Sequence, residues 1–187
     1  MSANMKVTGS VIARLGSKRL TYKNLLPFNG KPLIGIAIER LFECNKVDQV
    51  VVSTESELIA RVALDFGAKI LKRPPELAED NTPSIPVFQH IVANFPCDIH
   101  VNFNCNYPLC ETAVIDTAIK MAVEKGEALS NPFAVWAQSK ERLENYLDPF
   151  DIPAIPKFND DRTGPLDIHC MDDLLETYRL SQGQIDF

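Results

Sequence analysis

The stretch KVTGSVIARLGSKRLTYKN, residues 6–24, decides the predicted fold. Residues 6–13 are mostly apolar and partly β-branched, which predicts a strand. Four cations follow within ten residues, and no acid lies among them: Arg14, Lys18, Arg19 and Lys23. Gly16 and Ser17 allow a tight turn there, whose backbone N–H groups can face an anion. The stretch therefore predicts a strand that leads directly into an anion-binding loop.

The rest of the chain alternates short apolar runs with amphipathic stretches. Further strands are predicted over 48–53, 68–71, 98–103 and 134–137, and helices over 32–42, 55–66, 82–95, 111–124 and 171–180. This alternation with short connections predicts an α/β fold, with a mostly parallel sheet covered by helices on both faces. Ligands of such sheets bind at the carboxyl ends of the strands. We therefore expect the chemistry in the loops after Ala13, Ser53, Leu71 and Phe103.

Residues 146–165 break the alternation. This stretch contains Pro149, Pro153, Pro156 and Pro165 and has no apolar strand pattern. It is predicted to be a long surface loop without a core of its own. The length of 187 residues suits a single domain that includes this loop.

Composition narrows the class of protein. The net charge is −6, which argues against a general nucleic-acid binder, although a local basic patch can still hold a small anion. No run of 18 or more apolar residues occurs, so we expect no membrane span. Five cysteines without a CxxC pair, and no signal-peptide pattern, are typical of reduced thiols in a cytoplasmic protein.

The basic loop has a plainer interpretation as a solvated surface segment, because charge runs are common on protein surfaces. Its position after the first strand favours a phosphate-binding role instead, and both interpretations stay open at this point. The loop is neither a Walker A motif nor GxGxxG. P-loop ATPase and dinucleotide-binding functions therefore receive little weight.

Several spaced motifs give the chain a family resemblance. Residues 13–24, followed by PFNGKPLI at 27–34, resemble the opening of the sugar-acid cytidylyltransferases, which are the acylneuraminate (CMP-sialic acid) synthetases and the related CMP-Kdo synthetases. The likeness continues through VVSTE at 51–55, FGA at 66–68 and RPPELAED at 73–80. The resemblance implies a Rossmann-like nucleotidyltransferase fold. It also implies transfer of CMP from CTP to a sialic-acid-like or Kdo-like sugar acid, in surface polysaccharide precursor synthesis, with release of pyrophosphate and a requirement for Mg²⁺ or Mn²⁺.

The resemblance also implies roles for individual residues. Arg14 and Lys23 would be the catalytic cations. The nucleotide-binding set would be Arg14, Gly16, Ser17, Lys18, Arg19, Lys23, Asn24, Arg73, Asp80 and Ser84. Asn24 would shape the loop. Without the resemblance, Arg73 would be interpreted as a surface cation ahead of a Pro-Pro turn.

Two segments depart from the family pattern. In NCNYPL at 104–109, Asn104 and Asn106 stand where the family has glutamine and then threonine or aspartate, and they are the candidate substrate-binding residues. In PLDIHC at 165–170, Asp167 matches a metal-ligand aspartate and His169 occupies the place of a second one. A turn-capping role for Asn104 and a partly buried structural role for His169 stay open.

Two further hypotheses are kept beside the enzyme. One is a catalytically weak homologue that binds nucleotide or a protein partner without efficient transfer, and the other is a phosphate-binding α/β domain with unrelated chemistry. Residues 146–165 stand in place of the family's longer sugar-binding and dimerisation segment. Any homodimer is therefore predicted to lack the usual family arm and to use helical faces of the main domain.

Overall fold

The computed structural model describes residues 5–146 and 155–182. Its strands are β1 (Val7–Ile12), β2 (Pro27–Phe28), β3 (Lys31–Pro32), β4 (Gln49–Thr54), β5 (Lys69–Lys72), β6 (Ile99–Phe103), β7 (Glu127–Asn131), β8 (Val135–Ser139) and β9 (Lys157–Asn159). Its α-helices are α1 (Leu33–Glu43), α2 (Glu57–Asp65), α3 (Ser84–Asn94), α4 (Thr112–Lys125), α5 (Lys140–Glu144) and α6 (Met171–Gln182).

The main sheet has the strand order β5-β4-β1-β6-β8-β7-β9, while β2 and β3 form a separate hairpin. Strands β5, β4, β1 and β6 run parallel to one another and β9 is parallel to β7, whereas β8 is antiparallel to both β6 and β7. The chain goes from β1 to β4 on one side of β1 and later returns to β6 on its other side. This reversal leaves a crevice at the carboxyl ends of β1 and β6, where α/β sheets bind ligands.

The core lies on both faces of the sheet, as predicted. Helices α1, α2 and α4 contribute to one apolar cluster, in which Ile38 and Leu41 are fully buried with Val52 of β4. Helix α3 contributes to the other cluster, where Phe88 packs on the side of β4 that carries Val51. Val51 and Val52 therefore show the alternation of side chains that a strand imposes. The two clusters hold the sheet rigidly between the helices, so its carboxyl edge can position a site.

The mostly parallel α/β fold predicted from the sequence is confirmed, but several elements were not predicted. These are the β2–β3 hairpin, β7, β9 and α5. Strand β7 starts directly after Gly126, whose φ of 81° ends α4 in the left-handed conformation that favours glycine. Its sequence EALSN has little apolar alternation, so the pattern gave no strand signal.

The prediction for residues 146–165 is wrong in part. Strand β9 lies within this stretch and pairs in parallel with β7, and a 3-10 turn follows at Asp161–Thr163. The pairing begins where the Leu129 N–H donates to the Pro156 carbonyl at 3.0 Å. An edge strand of three residues is held by backbone hydrogen bonds and needs little apolar pattern. Residues 147–154 of the predicted loop lie outside the described residues.

Within residues 5–146 and 155–182, no helix is both long and apolar enough to cross a membrane.

Candidate active site

A cavity of about 490 Å³ lies at the reversal point of the sheet, between the loop after β1 and the loop after β6. The residues that line it are Ile12, Arg14, Ser17, Lys18, Arg19, Lys23, Asn24, Asp80, Ser84, Asn102, Asn104, Cys105, Asn106, Phe133 and His169. Most residues of the predicted site are therefore brought together. Gly16, Arg73 and Asp167 lie beside the cavity.

The first two cations of the loop face Asp80. The Asp80 carboxylate forms ion pairs with Arg14 through one oxygen and with Lys18 through the other. Hydrogen bonds from Lys18 and Arg14 hold the pKa of Asp80 below its usual range. The Lys18 side chain is 79% exposed, and those of Arg14 and Asp80 are about one-third exposed. An entering phosphate can therefore compete with Asp80 for both cations.

The second two cations face the C-terminal part of the chain. Arg19 donates to Nδ1 of His169 at 3.0 Å, and the Lys23 ammonium donates to the Ile168 carbonyl at 3.2 Å. Burial lowers the pKa of Lys23, and the nearby Asp167 carboxylate acts in the opposite direction. The loop thus spans the cavity, with one pair of cations at each side.

Side-chain hydrogen bonds fix the backbone of the loop. The Asn24 amide donates to the Arg14 carbonyl at 3.0 Å, which agrees with the loop-shaping role that the family resemblance implies. The Leu15 N–H donates to a carboxylate oxygen of Glu55 at 2.8 Å. This role of Glu55 was not predicted, although its position just after β4, at the carboxyl edge of the sheet, was a signal for it. Gly16 faces open space, so its contribution is not close packing.

Arg73 is buried, with 5% of its surface exposed, so its interpretation as a surface cation is wrong. Its Nε donates to the Ser53 hydroxyl at 3.2 Å, and its guanidinium also donates to the Ser53 carbonyl. Burial lowers the pKa of Arg73 to about 10, so the side chain is charged at neutral pH. Arg73 braces the carboxyl end of β4. It also lines a side pocket of about 190 Å³ that shares Arg14 and Ser84 with the main cavity.

The loop after β6 is held by Asn104. Its side-chain oxygen accepts from the Asn106 N–H at 3.1 Å, and its amide donates to the Phe133 carbonyl at 3.2 Å. The turn-capping role that was left open for Asn104 is therefore present. Asn104 and Asn106 both line the cavity.

Asp167 is engaged through both of its carboxylate oxygens. Asn106 donates to Oδ1 at 2.8 Å, and Nε2 of His169 lies 2.9 Å from Oδ2. Because Arg19 is only a donor, Nδ1 of His169 accepts from it, which leaves the ring proton on Nε2 to be donated to Asp167. Burial and the same carboxylate raise the pKa of Tyr107. Asp167 thus ties the loop after β6 to the C-terminal segment.

These residues fit a metal ion only together with a ligand. Across the part of the chain that the structure describes, no group of three or more His, Cys, Asp and Glu side chains is arranged to hold a metal. Asp167 supplies one carboxylate. Mg²⁺ is commonly bound by one or two carboxylates, with waters and substrate phosphates completing its octahedron. The donor set is therefore compatible with a hard divalent ion that arrives with a triphosphate.

Sequence reasoning missed four of the side chains that line the cavity, namely Ile12, Asn102, Cys105 and Phe133. Phe133, 37% exposed, packs edge-to-face on Trp136 with ring centroids 5.6 Å apart. Cys105 is buried, and burial raises its pKa to about 12, so it is a neutral thiol rather than a nucleophile. Asn102 lies within the apolar run of β6, and a polar residue in such a run was the one available signal.

This fold and site define an α/β domain with a cation-lined cavity at the reversal point of its sheet. The chain superposes on CMP:2-keto-3-deoxy-manno-octonic acid synthetase complexed with CTP with a TM-score of 0.78, at 18% identity, covering 95% of this chain and 98% of that one. It also superposes on a Mycobacterium tuberculosis H37Rv protein in complex with manganese, with a TM-score of 0.65 at 19% identity, covering 93% and 98%. Likeness at these identities establishes the fold.

The family follows from the sequence comparisons. The family model described as Cytidylyltransferase matches residues 10–155, and the chain belongs to this cytidylyltransferase family. An N-acylneuraminate cytidylyltransferase A of Danio rerio is 33% identical over 63% of this chain and 29% of its own length. A 3-deoxy-manno-octulosonate cytidylyltransferase of Geotalea uraniireducens is 33% identical over 78% of this chain and 55% of its own. The predicted relationship to the sugar-acid cytidylyltransferases is confirmed, although the chain spans only about a third to a half of these relatives.

Proposed function

We propose that this chain transfers CMP from CTP to a sugar acid and releases pyrophosphate. The observation that carries the proposal is the placement of the four loop cations around one cavity at the reversal point of the sheet. In this reaction an oxygen of the sugar acid attacks the α-phosphorus of CTP. The bond to the bridging oxygen breaks, pyrophosphate leaves with the bonding electron pair, and the proton of the attacking oxygen passes to solvent.

The loop cations supply the electrostatic part of catalysis. Negative charge develops on the α-phosphoryl oxygens and on the departing pyrophosphate, and cations held in place beforehand stabilise it without reorganisation. Arg14 and Lys18 exchange Asp80 for phosphate oxygens. Lys23 is partly buried, where an ion interacts more strongly than in water. We therefore assign Lys23 and Arg14 as the catalytic cations. Ser17, Arg19 and Ser84 complete the nucleotide-binding side.

The sugar acid is proposed to occupy the opposite side of the cavity. Asn104 and Asn106 offer polar groups there, and the exposed edge of Phe133 offers an apolar surface for a sugar face or an acyl group. Arg73 stabilises the nucleotide side of the cavity through its hydrogen bonds to Ser53. The side pocket that Arg73 lines is the proposed location for part of the cytidine.

A divalent metal, Mg²⁺ or Mn²⁺, is proposed to bind at Asp167 together with the triphosphate. When bound, it neutralises phosphate charge. Asp167 holds its position through Asn106, and His169 orients its second oxygen. Because an imidazole replaces a carboxylate at position 169, the site has less negative charge. If His169 exchanges Asp167 for the metal, its nitrogen is a softer ligand than a carboxylate and favours an ion such as Mn²⁺.

The oligomeric state and the cellular location are proposed from the sequence alone. We propose that any homodimer uses helical faces rather than an exchanged arm, and a crystal interface built chiefly by exchange of residues 146–165 would contradict this. No nucleic-acid or membrane partner is proposed, and the cytoplasmic location is inferred from the cysteine content.

The test is pyrophosphate release from CTP with a panel of 2-keto sugar acids, each in Mg²⁺ and in Mn²⁺. We expect turnover with at least one sugar acid and a higher rate in Mn²⁺. Membership of the cytidylyltransferase family does not favour the alternative of a homologue that binds without transferring. That alternative would gain if calorimetry showed CTP binding while no sugar acid supported release. Absence of CTP binding would refute the proposed function.

A further inference from the structure

A buried chain of polar side chains runs across the centre of the sheet to the floor of the cavity. Nδ1 of His100 lies 3.1 Å from Oε1 of Gln138, and Nε2 of His100 lies 2.8 Å from the Ser10 hydroxyl. The Ser10 hydroxyl lies 3.3 Å from Oδ1 of Asn102. Ser10 is paired with Asn102 across β1 and β6, and His100 with Gln138 across β6 and β8. The chain thus links three strands and ends at a residue that lines the cavity.

This hydrogen-bonded series of side chains is shielded from water along most of its length. Ser10, His100 and Gln138 are fully buried, and the Phe88 ring covers the imidazole with ring centroids 4.7 Å apart. Polar groups in such a core need hydrogen-bond partners, and apolar residues of similar size would avoid that requirement. None of these three residues touches the cavity, so their polarity calls for an explanation through Asn102.

The proton positions follow from counting donors. Burial lowers the pKa of His100 to about 4, so the ring is neutral and carries one proton. Nε2 of Gln138 is buried with no partner among the described residues. Rotating the Gln138 amide by about 180° exchanges Nε2 and Oε1. Nε2 can then donate to Nδ1 of His100, and Oε1 is left unpaired instead. Orphaned buried N–H groups are rarer than under-satisfied carbonyls, and amide orientations are assigned from the network around them.

With Gln138 as donor, the rest of the chain has one consistent direction. Nε2 of His100 carries the proton and donates to the Ser10 hydroxyl. The hydroxyl hydrogen of Ser10 then donates to Oδ1 of Asn102, and the Nδ2 group of Asn102 remains free. In the opposite direction, Nδ1 of His100 carries the proton and donates to Gln138, and the Ser10 hydroxyl donates to Nε2 of His100. The amide N–H groups of Gln138 then have no acceptor in the core.

We propose that this buried chain fixes the orientation of Asn102 so that its Nδ2 group donates a hydrogen bond to an oxygen of the bound nucleotide. Asn102 lies at the carboxyl end of β6, directly beside β1, whose following loop carries Arg14 and Lys18. Phosphate and ribose oxygens are acceptors, so a fixed donor at this point discriminates in favour of them. The inference rests on the proposed function. It makes Asn102 a nucleotide-contacting residue and Ser10, His100 and Gln138 positioning residues.

The first arm of the test is the tautomer of His100 in the free protein, read from ¹⁵N NMR of the imidazole. We expect the proton on Nε2. A proton on Nδ1 would overturn the assigned direction of the chain, and this result does not depend on any enzymatic activity.

The second arm is CTP affinity by calorimetry. Asn102→Asp keeps the shape but replaces the donor with an acceptor that also carries a negative charge, so we expect binding to weaken roughly 10- to 100-fold, as for a lost hydrogen bond with an unpaired group left behind. Ser10→Ala should weaken binding less, since it frees the amide to rotate without removing it. Asn94→Asp, at the exposed end of α3, is the matched control and should bind as wild type does.

If Asn102→Asp does not fold, the side-chain amide resonance of Asn102 in the wild type must shift on addition of CTP, and an unshifted resonance would overturn the contact. Unchanged CTP affinity in a folded Asn102→Asp variant would also overturn it, while the proposed function would stand. A wild type that binds no CTP would refute both the contact and the proposed function, leaving the tautomer as a separate finding.

Discussion

The two sides of the cavity are built in opposite ways. On one side, the cation loop, residues 14–24, brings its charges from a single short stretch, and Arg14 and Lys18 are held by the accessible Asp80. On the other side, residues 165–170 contribute Asp167, which is engaged by Asn106, 61 residues away, and by the neighbouring His169. Arg19 of the cation loop in turn donates to His169. The first side offers charges that a ligand can take over. The second side offers one carboxylate whose position depends on three separate segments.

This difference explains what the sequence could predict. The cation loop was predictable because its residues are adjacent and follow a clear strand pattern. The coupling of Arg19 to His169, 150 residues away, could not be derived from periodicity, because it depends on how the C-terminal segment returns to the sheet. The positions of Asp167 and His169 came from the family resemblance.

The missed elements have the same physical cause. Strand β9 is an edge strand held by backbone pairing, and Phe133 reaches the cavity because of the turn between β7 and β8. Neither leaves a local pattern. Without the family resemblance, the Pro-Pro context of Arg73 indicated a surface cation, whereas tertiary packing buries it against Ser53. Local pattern thus predicted the scaffold and the cation loop, and long-range packing decided the rest.

The largest effect is expected from a substitution in residues 165–170, on the C-terminal side of the cavity. Asp167→Asn keeps the shape and can still accept from Asn106, but it removes the carboxylate proposed to hold the metal that binds together with the triphosphate. We expect turnover to fall at least about 100-fold, as for loss of a charged group that acts in the transition state. Pyrophosphate release measures this. Asp172→Asn, at the exposed start of α6, is the control and should keep its rate.

A folded Asp167→Asn variant with wild-type turnover would show that this carboxylate is structural only. Of the two sides of the cavity, only the cation loop would then contribute to catalysis.

The next effect separates a bracing cation from a ligand-facing one. Arg73→Ala removes a buried group that donates to Ser53 through its side chain, so we expect the free energy of unfolding to fall by about 2–3 kcal/mol. Arg14→Ala should leave stability within about 0.5 kcal/mol, since it lies in an accessible surface ion pair. Denaturant unfolding of both variants is the measurement. Equal stability losses would contradict the assignment of Arg73 as a brace.

The cation loop itself is tested by CTP affinity. Lys23→Ala and Arg14→Ala should each weaken CTP binding by about 1.5–3 kcal/mol, because each removes a charge-assisted hydrogen bond to phosphate. Calorimetry measures this. Arg61→Ala, on the exposed face of α2, removes a cation of the same kind away from the cavity and should bind normally. Unchanged affinity in both loop variants would remove the phosphate-binding role from the loop.

The smallest effect tests whether Asp80 competes with the nucleotide or binds it. Asp80→Asn removes the carboxylate that holds Arg14 and Lys18, so phosphate no longer displaces a charged partner. Exposed ion pairs are weak, and we expect CTP affinity to rise only about two- to five-fold. Because its partners lower the pKa of Asp80, the carboxylate stays ionised well into the acidic range and regains a proton only as the pH falls through that lowered value. The gain should therefore be constant from about pH 6 to 8. Calorimetry at several pH values measures it, with Asp172→Asn as the control. A loss of affinity would instead show that Asp80 contacts the nucleotide directly, as the family resemblance implies, and the cation loop would then bind its ligand with Asp80 in place rather than by exchange.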